Sequence, residues 1–561
     1  MQNAQTMTSY QVYTRLTGYV APYWGMFALA LPSMLVMAVT EPALPLLLKL
    51  MLDGTLVSQN HELVQLVPLA IIAFFAMRGV ASYLSIYALN WVSGKLVMDL
   101  RATMFDRLLT LPVRYYADHA SEDLVATVTS GTGRTVDTAA AAVSVLARDT
   151  LTIIVLLAWM FYLDLKSALL ALLLVPVIML IVRSSNEQRQ KSDRETAPTL
   201  HGMTQVLQEL VKNYKVVKLD GGQQHQSQRF RDEVDQAHRA GMKQATAKAF
   251  SAALVHMAVG VVLAVAIYPA TQQAATDGAA TGSFVSLSMA MLLLILPVKR
   301  ITAAHMSWQQ GLAAAGSVFS LLDQEAEADT GVVVIGRARG ELRFEQVGFH
   351  CQPQAGAALQ DITLTLASGE TLALVGPASS GKTTLADLVP RFFQPDSGKI
   401  LLDGQDLATL TLTSLRANIA LVSREMVVFN DTVAANIAYG ARARATEAEI
   451  IAAMHAAHAA EFIRELPQGL QTVVGEQGVQ LSDGQRLRIA IARALLKNPP
   501  IVILDEMAPE LDAESGQEVQ AALATLMRGR TTVVIAERLS VVVQKADYSI
   551  VLQQDPVASL L

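Results

Sequence analysis

The stretch TLALVGPASSGKTT, residues 371–384, decides the fold of the second half of the chain. It begins with a short apolar run typical of a buried strand, passes through a loop bounded by glycines, and continues into the helix-like LADLVPRFF. The loop satisfies the pattern G-x-x-x-x-G-K-[ST] between a strand and a helix, which is the setting that a phosphate-binding loop requires. We therefore predict a nucleotide-binding α/β domain built around this stretch.

Each part of the loop suits a magnesium nucleotide. Backbone N–H groups between Gly376 and Gly381 can cradle phosphates, Lys382 can reach the β and γ oxygens, and the Thr383 hydroxyl can coordinate Mg²⁺. The predicted nucleotide-binding residues are Gly376, Pro377, Ala378, Ser379, Ser380, Gly381, Lys382, Thr383 and Thr384.

A second acidic motif follows downstream, where IVILDE at residues 501–506 is predicted to form a buried strand that ends in two carboxylates. Asp505 is suited to the Mg²⁺ shell, and Glu506 is suited to polarising the attacking water. A surface turn with two acids is the alternative for this stretch by itself. The phosphate-binding loop upstream favours the catalytic interpretation.

The composition separates this domain from the rest of the chain. Of the 561 residues, 52% are hydrophobic and only 16% charged, and the mean hydropathy is +0.36. The apolar excess lies before about residue 320. A net charge of -6 gives no reason to expect nucleic acid as a partner. The single cysteine excludes an intrachain disulfide.

Six apolar segments have the length of roughly 20 residues that crossing a bilayer requires. A buried helical core is the alternative, but six such segments in succession favour membrane spans. The predicted spans are about 24–50, 64–89, 141–163, 166–183, 250–272 and 281–303. The stretch 184–249 between spans four and five is rich in Lys and Arg, which places it in the cytoplasm.

These observations predict a multidomain membrane protein. Residues 1–325 form a transmembrane domain with six helices, residues 326–340 a linker, and residues 341–561 an α/β nucleotide-binding domain with a mostly parallel sheet. The runs LRFEQV, TLALVG, IVILDE and TTVVIAE are its predicted strands.

A resemblance to a known family rests on LSDGQRLRIAIARALL, residues 481–496, which lies just ahead of IVILDE. It is similar to the signature of ATP-binding cassette (ABC) proteins, LSGGQ followed by an arginine-rich helix. Six spans followed by one cassette resemble a half-size bacterial exporter. The stretches WVSGKLVMDLR and LVSREMVVFNDTVAANIAYG are similar to those of lipid A flippases within that family. The likeness covers nearly the whole chain.

The resemblance implies a homodimer in which each ATP, with Mg²⁺, lies between the phosphate-binding loop of one subunit and the signature helix of the other. Ser482, Gly484 and Gln485 would complete the γ-phosphate pocket of the opposing subunit, and Asp512 would be the aspartate of the D-loop. A helix start with free N–H groups is physically suited to that role.

Several nucleotide-facing positions depart from the family pattern. Asp483 replaces a signature glycine, Glu537 the switch histidine, Arg424 the Q-loop glutamine, and Cys351 the aromatic residue that stacks on adenine. A carboxylate about 5 Å from a γ-phosphate costs roughly 3 kcal/mol per opposing charge at an effective dielectric near 20, unless a cation intervenes. The sequence therefore supports nucleotide binding more strongly than nucleotide hydrolysis. Arg424 can neutralise one of the new acids.

Three cations in or beside the spans, Arg78, Arg148 and Lys299, are candidates for substrate binding, because ionisable groups in a membrane are costly. Snorkelling or pairing, for instance of Arg148 with Asp149, is the alternative for each. The resemblance implies that these cations bind the glucosamine phosphates of the substrate.

The predicted function is ATP-driven flipping of lipid A or a related phosphorylated glycolipid across the bacterial inner membrane. The alternatives are a multidrug exporter, a hydrolysis-impaired regulatory half-transporter in a heterodimer with a competent chain, and a lipid-binding protein with a vestigial cassette.

Overall fold

The computed structural model describes most of the chain in two compact units. Besides a few single positions, the described residues are 9–52, 61–163, 202–276, 281–350, 359–377, 380–423, 426–475, 481–505, 513–536, 546–552 and 559–560. The first unit comprises residues 1–109 and 120–324, and the second comprises residues 110–119 and 325–561. The predicted fourth span, 166–183, lies outside the described residues apart from isolated positions.

The first unit is helical throughout its described part. A proline at position 42 lacks the N–H that would continue the helical ladder, which explains the break inside the first predicted span. A π-helical turn, Thr127–Gly131, joins two of the helices. The helices are Ser9–Val20, Trp24–Thr40, Ala43–Leu52, His61–Thr110, Ser121–Ala126, Thr132–Leu163, Tyr214–Leu219, Gln223–Thr276 and Thr281–Leu322.

Three stretches of these helices are long and apolar enough to cross a membrane: Gly18–Leu52, Pro68–Thr110 and Ser121–Leu163, found in a search of the described residues alone. They contain the first and third predicted spans and residues 68–89 of the second. The fifth and sixth predicted spans lie inside Gln223–Thr276 and Thr281–Leu322. The total of six stays a prediction.

The exposed surface of this unit is unusually apolar. On the helix His61–Thr110, the side chains of Leu69, Ile72 and Val80 are each more than 60% exposed. Such a surface is unfavourable in water and suits contact with hydrocarbon.

A packed seam joins the helices Thr132–Leu163 and Thr281–Leu322. Its buried residues are Leu156, Met160, Leu287, Ala290, Met291, Leu294 and Val298. In a bilayer the lipid tails are as apolar as these side chains, so the seam fixes the two helices against each other by close van der Waals packing.

The second unit is an α/β domain with two sheets among its described residues. The strands are β1 Leu342–Phe349, β2 Leu359–Leu366, β3 Thr371–Val375, β4 Ser397–Leu402, β5 Gln405–Asp406, β6 Ile419–Val422, β7 Ile501–Asp505, β8 Thr531–Ala536, β9 Tyr548–Val551 and β10 Ser559–Leu560. A four-stranded antiparallel sheet has the order β2-β1-β4-β5, and a six-stranded sheet has the order β10-β9-β3-β8-β7-β6. Strands β9, β3, β8, β7 and β6 are parallel, and β10 pairs antiparallel with β9.

Of the four strands expected from sequence, three lie in the parallel sheet, but LRFEQV does not. It forms β1, which pairs antiparallel with both β2 and β4. Its expected place in the parallel sheet is therefore wrong, because its apolar pattern reflects burial on one face of a separate sheet. The helices of this unit are Val113–Asp118, Lys382–Leu388, Leu412–Ala417, Val433–Ile437, Glu447–Ala456, Ala460–Glu465, Asp483–Lys497 and Ala513–Met527.

Residues 110–119 belong to the second unit by their contacts, although the sequence places them within the first domain. The N–H of Glu327 donates to the carbonyl of Thr110 over 2.7 Å. The guanidinium of Arg416 donates to both oxygens of Glu327, at 2.7 and 2.5 Å. A bidentate ion pair between Arg416 and Glu327 thus holds the first residues of the predicted linker on the α/β domain.

Candidate nucleotide-binding site

The order of the strands brings the predicted motifs to one edge of the parallel sheet. Strand β8 lies between β3 and β7 and pairs in parallel with both. The ends of β3 at Val375, of β7 at Asp505 and of β8 at Ala536 therefore share the carboxyl edge, which is where ligands bind in open α/β sheets.

The loop after β3 is folded tightly around a lysine. The ammonium of Lys382 is buried and donates to the carbonyl oxygens of Gly376 and Pro377, both at 2.7 Å. Gly381 has a φ of 87°, a left-handed conformation that favours glycine, and it immediately precedes the helix Lys382–Leu388. A side chain is also excluded at Gly376, where a Cβ would lie 2.3 Å from the carbonyl oxygen of Leu552.

Among the described residues of this loop, one buried side-chain polar atom has no hydrogen-bond partner. The hydroxyl of Ser380 is buried and makes no hydrogen bond within the described residues. A buried hydroxyl without a partner is costly, and such atoms mark places where a ligand completes the hydrogen bonding. The Ser380 hydroxyl, the ammonium of Lys382 and the helix start at Gly381 together fit an anionic phosphate.

The metal-binding prediction concerns Thr383 and Asp505. Thr383 is exposed in the first turn of the helix after the loop, and Asp505 ends β7 at the same sheet edge. A hydroxyl and a carboxylate are oxygen ligands of the kind that Mg²⁺ prefers, so the donor set fits this cation.

A second carboxylate that the sequence analysis missed stands in this region. Asp387 lies in the helix after the loop, and burial together with the nearby charge of Asp505 raises the pKa of its carboxyl to about 6. Its place five residues after Lys382 was visible in the sequence, but its approach to Asp505 depends on how the helix packs on the sheet.

The signature helix begins as its sequence predicts. Ser482 precedes the helix Asp483–Lys497, and its hydroxyl accepts from the N–H of Gln485 at 3.2 Å, while the side chain of Gln485 accepts from the N–H of Ser482 at 2.9 Å. This reciprocal capping box fixes the first turn. Gly484 is buried in that turn.

Asp483 does not stand alone in this turn. Its carboxylate forms an ion pair with Arg486, one turn later in the same helix. We expected Asp483 to repel the γ-phosphate only if no cation intervenes. Arg486 supplies a cation beside Asp483, so this condition is not met. The spacing of three residues could have revealed this partner from sequence. The expected effect of Asp483 on turnover stays a prediction.

Two further arginines anchor the signature helix to the domain. Arg488 is buried, forms an ion pair with Glu518 and lies 4.8 Å over the ring of Phe462. Arg493 donates to the carbonyl oxygens of Asn436 at 2.8 Å and Val427 at 3.2 Å. The arginine-rich face thus holds the helix in place rather than lying free in solvent.

Several predicted site residues lie outside the described residues, so their expected roles stay predictions. They are Cys351, Ala378, Ser379, Arg424, Glu506, Asp512 and Glu537.

The three candidate head-group cations of the first unit differ in their surroundings. Arg78 forms an ion pair with Glu41. The Nε atom of Arg148 lies 3.0 Å from Asp149. Lys299 is half-buried, and the described residues offer it no carboxylate partner. Pairing, the alternative weighed from sequence, is thus observed for both arginines, and it leaves their proposed role in binding untested.

Comparison with known proteins covers both units. The family described as "ABC transporter transmembrane region" matches residues 27–298, and the family described as "ABC transporter" matches residues 359–508. A protein of Thiobacillus denitrificans named "ATP-dependent lipid A-core flippase" is 45% identical over 97% of this chain and 94% of its own length. A protein of Nitrosococcus oceani with the same name is 44% identical over 97% of this chain and 91% of its own length.

Among solved structures, a bacterial Atm1-family ABC exporter with ATP bound is similar to this chain, with a TM-score of 0.80 and 28% identity. The match covers 96% of this chain and 95% of that structure.

Proposed function

Because this chain belongs to the ABC exporters, in which a helical transmembrane region precedes an α/β nucleotide-binding domain, we propose that it flips lipid A or a related phosphorylated glycolipid at the expense of ATP. The observation that carries the proposal is the similarity, over 97% of this chain, to relatives named for lipid A-core flipping. The membrane would be the bacterial inner membrane, with the cassette in the cytoplasm.

The phosphate-binding loop would bind the phosphates of ATP. Ser380 would donate its unpartnered hydroxyl to a phosphate oxygen, and Lys382 would exchange loop carbonyls for phosphate oxygens. Thr383 and Asp505 would hold Mg²⁺, which supplies positive charge against the phosphates. Glu506 would accept a proton from the attacking water.

The signature helix supplies the second half of the site in a dimer. Its first turn carries the N–H groups and the Ser482 hydroxyl at a helix N-terminus, where an anion is stabilised. A homodimer would place this turn against the loop of the partner subunit, so that ATP closes the two cassettes together. Closure would then change which side of the membrane the transmembrane region opens to.

A regulatory half-transporter is the second candidate, favoured by the substitutions at Cys351, Arg424, Asp483 and Glu537. In that case the chain would bind ATP, hydrolyse it slowly and work in a heterodimer with a competent chain. The ion pair between Asp483 and Arg486 weakens this candidate, because it neutralises one of the substitutions.

Phosphate release by the purified full-length protein in lipid nanodiscs tests the proposal. We expect release to rise when lipid A is present and to be abolished by Glu506→Gln, while ATP binding persists in that variant. Binding of ATP without release above background would support the regulatory candidate instead. Failure to bind ATP at millimolar concentration would refute both.

A further inference from the structure

A carboxylate in the first unit is held between two arginines from different helices. The Asp149 side chain is fully buried, with an exposed fraction of 0%. Its Oδ1 atom lies 3.0 Å from Nε of Arg148, and its Oδ2 atom lies 2.8 Å from Nε of Arg300. A buried carboxylate is stable only when it is paired, and here two guanidinium groups share that task.

Within the described part of the chain, both arginines keep most of their hydrogen-bond donors unused. Arg148 donates a hydrogen bond from Nε to Oδ1, whereas Nε of Arg300 is paired with Oδ2 by charge and distance without hydrogen-bond geometry. Within the described residues, neither guanidinium makes a further hydrogen bond or ion pair. Their side chains are 27% and 42% exposed, so they are accessible in this unit. A planar guanidinium with free Nη groups matches the geometry of a phosphate oxygen pair.

The charge balance singles out this cluster. Asp149 neutralises only one of its two arginines, and Lys299, next to Arg300 in the chain, adds a further positive charge without a described carboxylate partner. By contrast, Arg78 is matched by Glu41 in a balanced pair. The net positive charge therefore lies where the helices Thr132–Leu163 and Thr281–Leu322 meet.

We propose that Arg300 is a further specificity-determining residue for the phosphate groups of the transported amphiphile, and that Asp149 is a positioning residue that holds Arg148 and Arg300 as a paired anion clamp. This inference rests on the proposed function.

The scaffold suits this role. Asp149 and Arg300 lie on the two helices joined by the buried seam that contains Leu156, Leu294 and Val298. Each guanidinium is thus fixed by one ion pair on a packed pair of helices, which lowers the entropy lost when a phosphate binds.

Equilibrium binding of lipid A to the full-length protein in nanodiscs tests the role of Arg300. Two ligands are compared, diphosphorylated lipid A and the same lipid stripped of both phosphates. We expect Arg300→Gln to weaken binding of the phosphorylated lipid about tenfold or more and to leave binding of the stripped lipid unchanged. Arg300→Lys keeps the positive charge but lacks the planar guanidinium with its two Nη donors. It should therefore recover only part of the lost affinity for the phosphorylated lipid.

Arg229→Gln is the matched control. Arg229 is 43% exposed, close to the 42% of Arg300, and pairs with Glu209 at 2.7 Å in the same unit, so the change removes an arginine ion pair outside the proposed clamp. The inference is overturned if Arg300→Gln binds phosphorylated lipid within twofold of the wild type, or if it loses no more than Arg229→Gln. If Arg300→Gln does not fold, Arg300→Lys takes its place, and the inference is overturned if that variant binds phosphorylated lipid within twofold of the wild type.

The positioning role of Asp149 predicts non-additive effects. Asp149→Asn should weaken binding of phosphorylated lipid in the wild type but add little in the Arg300→Gln background, and Asp149→Glu should restore part of the affinity. Equal losses in both backgrounds would contradict a positioning role. If the wild type binds neither lipid, the proposed function fails; if it binds normally and the variants match it, only this inference fails.

Discussion

Replacement of Asp387 by asparagine should stabilise the nucleotide-binding domain. The carboxyl of Asp387 is half-buried in the helix after the phosphate-binding loop, and burial, followed by the charge of Asp505, raises its pKa from the ordinary 3.8 to about 6. Because the folded state binds this proton more tightly than the unfolded state, the ionised group opposes folding. The cost is absent below about pH 4, grows as the pH rises toward 6, and is complete above it.

The magnitude follows from the shift. Each pKa unit corresponds to about 1.4 kcal/mol, so a shift from 3.8 to about 6 gives an upper limit of about 3 kcal/mol. Solvent reaches part of the carboxyl, so we expect about 1–2 kcal/mol. For a domain of this size, that change raises the unfolding midpoint by about 4 °C.

Thermal unfolding of the full-length protein with EDTA, from pH 4 to pH 8, measures this effect. The unfolding midpoint of Asp387→Asn should be higher than that of the wild type at pH 7.5, and the difference between the two midpoints should shrink toward zero as the pH falls to 4. Asp361→Asn, an exposed position on β2 with a φ of 46° that asparagine tolerates, is the matched control and should leave the midpoint unchanged. An Asp387→Asn midpoint at or below that of the wild type at pH 7.5 would refute the reasoning.

Three further outcomes are expected. Arg486→Gln should lower phosphate release several-fold when Asp483 is present, because it exposes that carboxylate, and should have little effect in an Asp483→Gly background. Ser380→Ala should leave the unfolding midpoint without nucleotide unchanged or higher, since its hydroxyl has no hydrogen-bond partner among the described residues, and should weaken equilibrium ATP binding. Glu327→Gln should destabilise the protein by about 1–3 kcal/mol in denaturant unfolding, because it leaves Arg416 without its anionic partner.

Each of these outcomes has a contrary result. Equal loss of phosphate release in both signature backgrounds would show that Arg486 does not act through Asp483. Unchanged ATP binding by Ser380→Ala would remove the hydroxyl from the proposed phosphate contacts. For Glu327→Gln, the control is Glu345→Gln, which removes exposed ion pairs with Arg343 at 3.7 Å and Lys399 at 3.2 Å. An equal loss of stability in that control would contradict the role of the Glu327–Arg416 pair.

The sequence predicted the α/β fold of the nucleotide-binding half, because its motifs carry their own local geometry. A loop with glycines between a strand and a helix, and a Ser-x-x-Gln start of a helix, follow from backbone sterics and capping over a few residues. Strand β1 was misplaced because its alternating pattern does not specify which sheet it joins.

Contacts between distant segments were harder to predict. The approach of Asp387 to Asp505, the pairing of Arg300 with Asp149, and the assignment of residues 110–119 to the cassette unit all depend on tertiary packing. The partner of Asp483 was within reach of sequence analysis, because Arg486 follows it by three helical positions.

Movement of a fluorescent lipid A analogue between leaflets of proteoliposomes tests the central claim most directly. With the full-length protein and Mg-ATP, we expect the analogue to cross the bilayer, and we expect the movement to stop in Glu506→Gln and without ATP. Hydrolysis of ATP that proceeds while the analogue stays in its original leaflet would contradict the account.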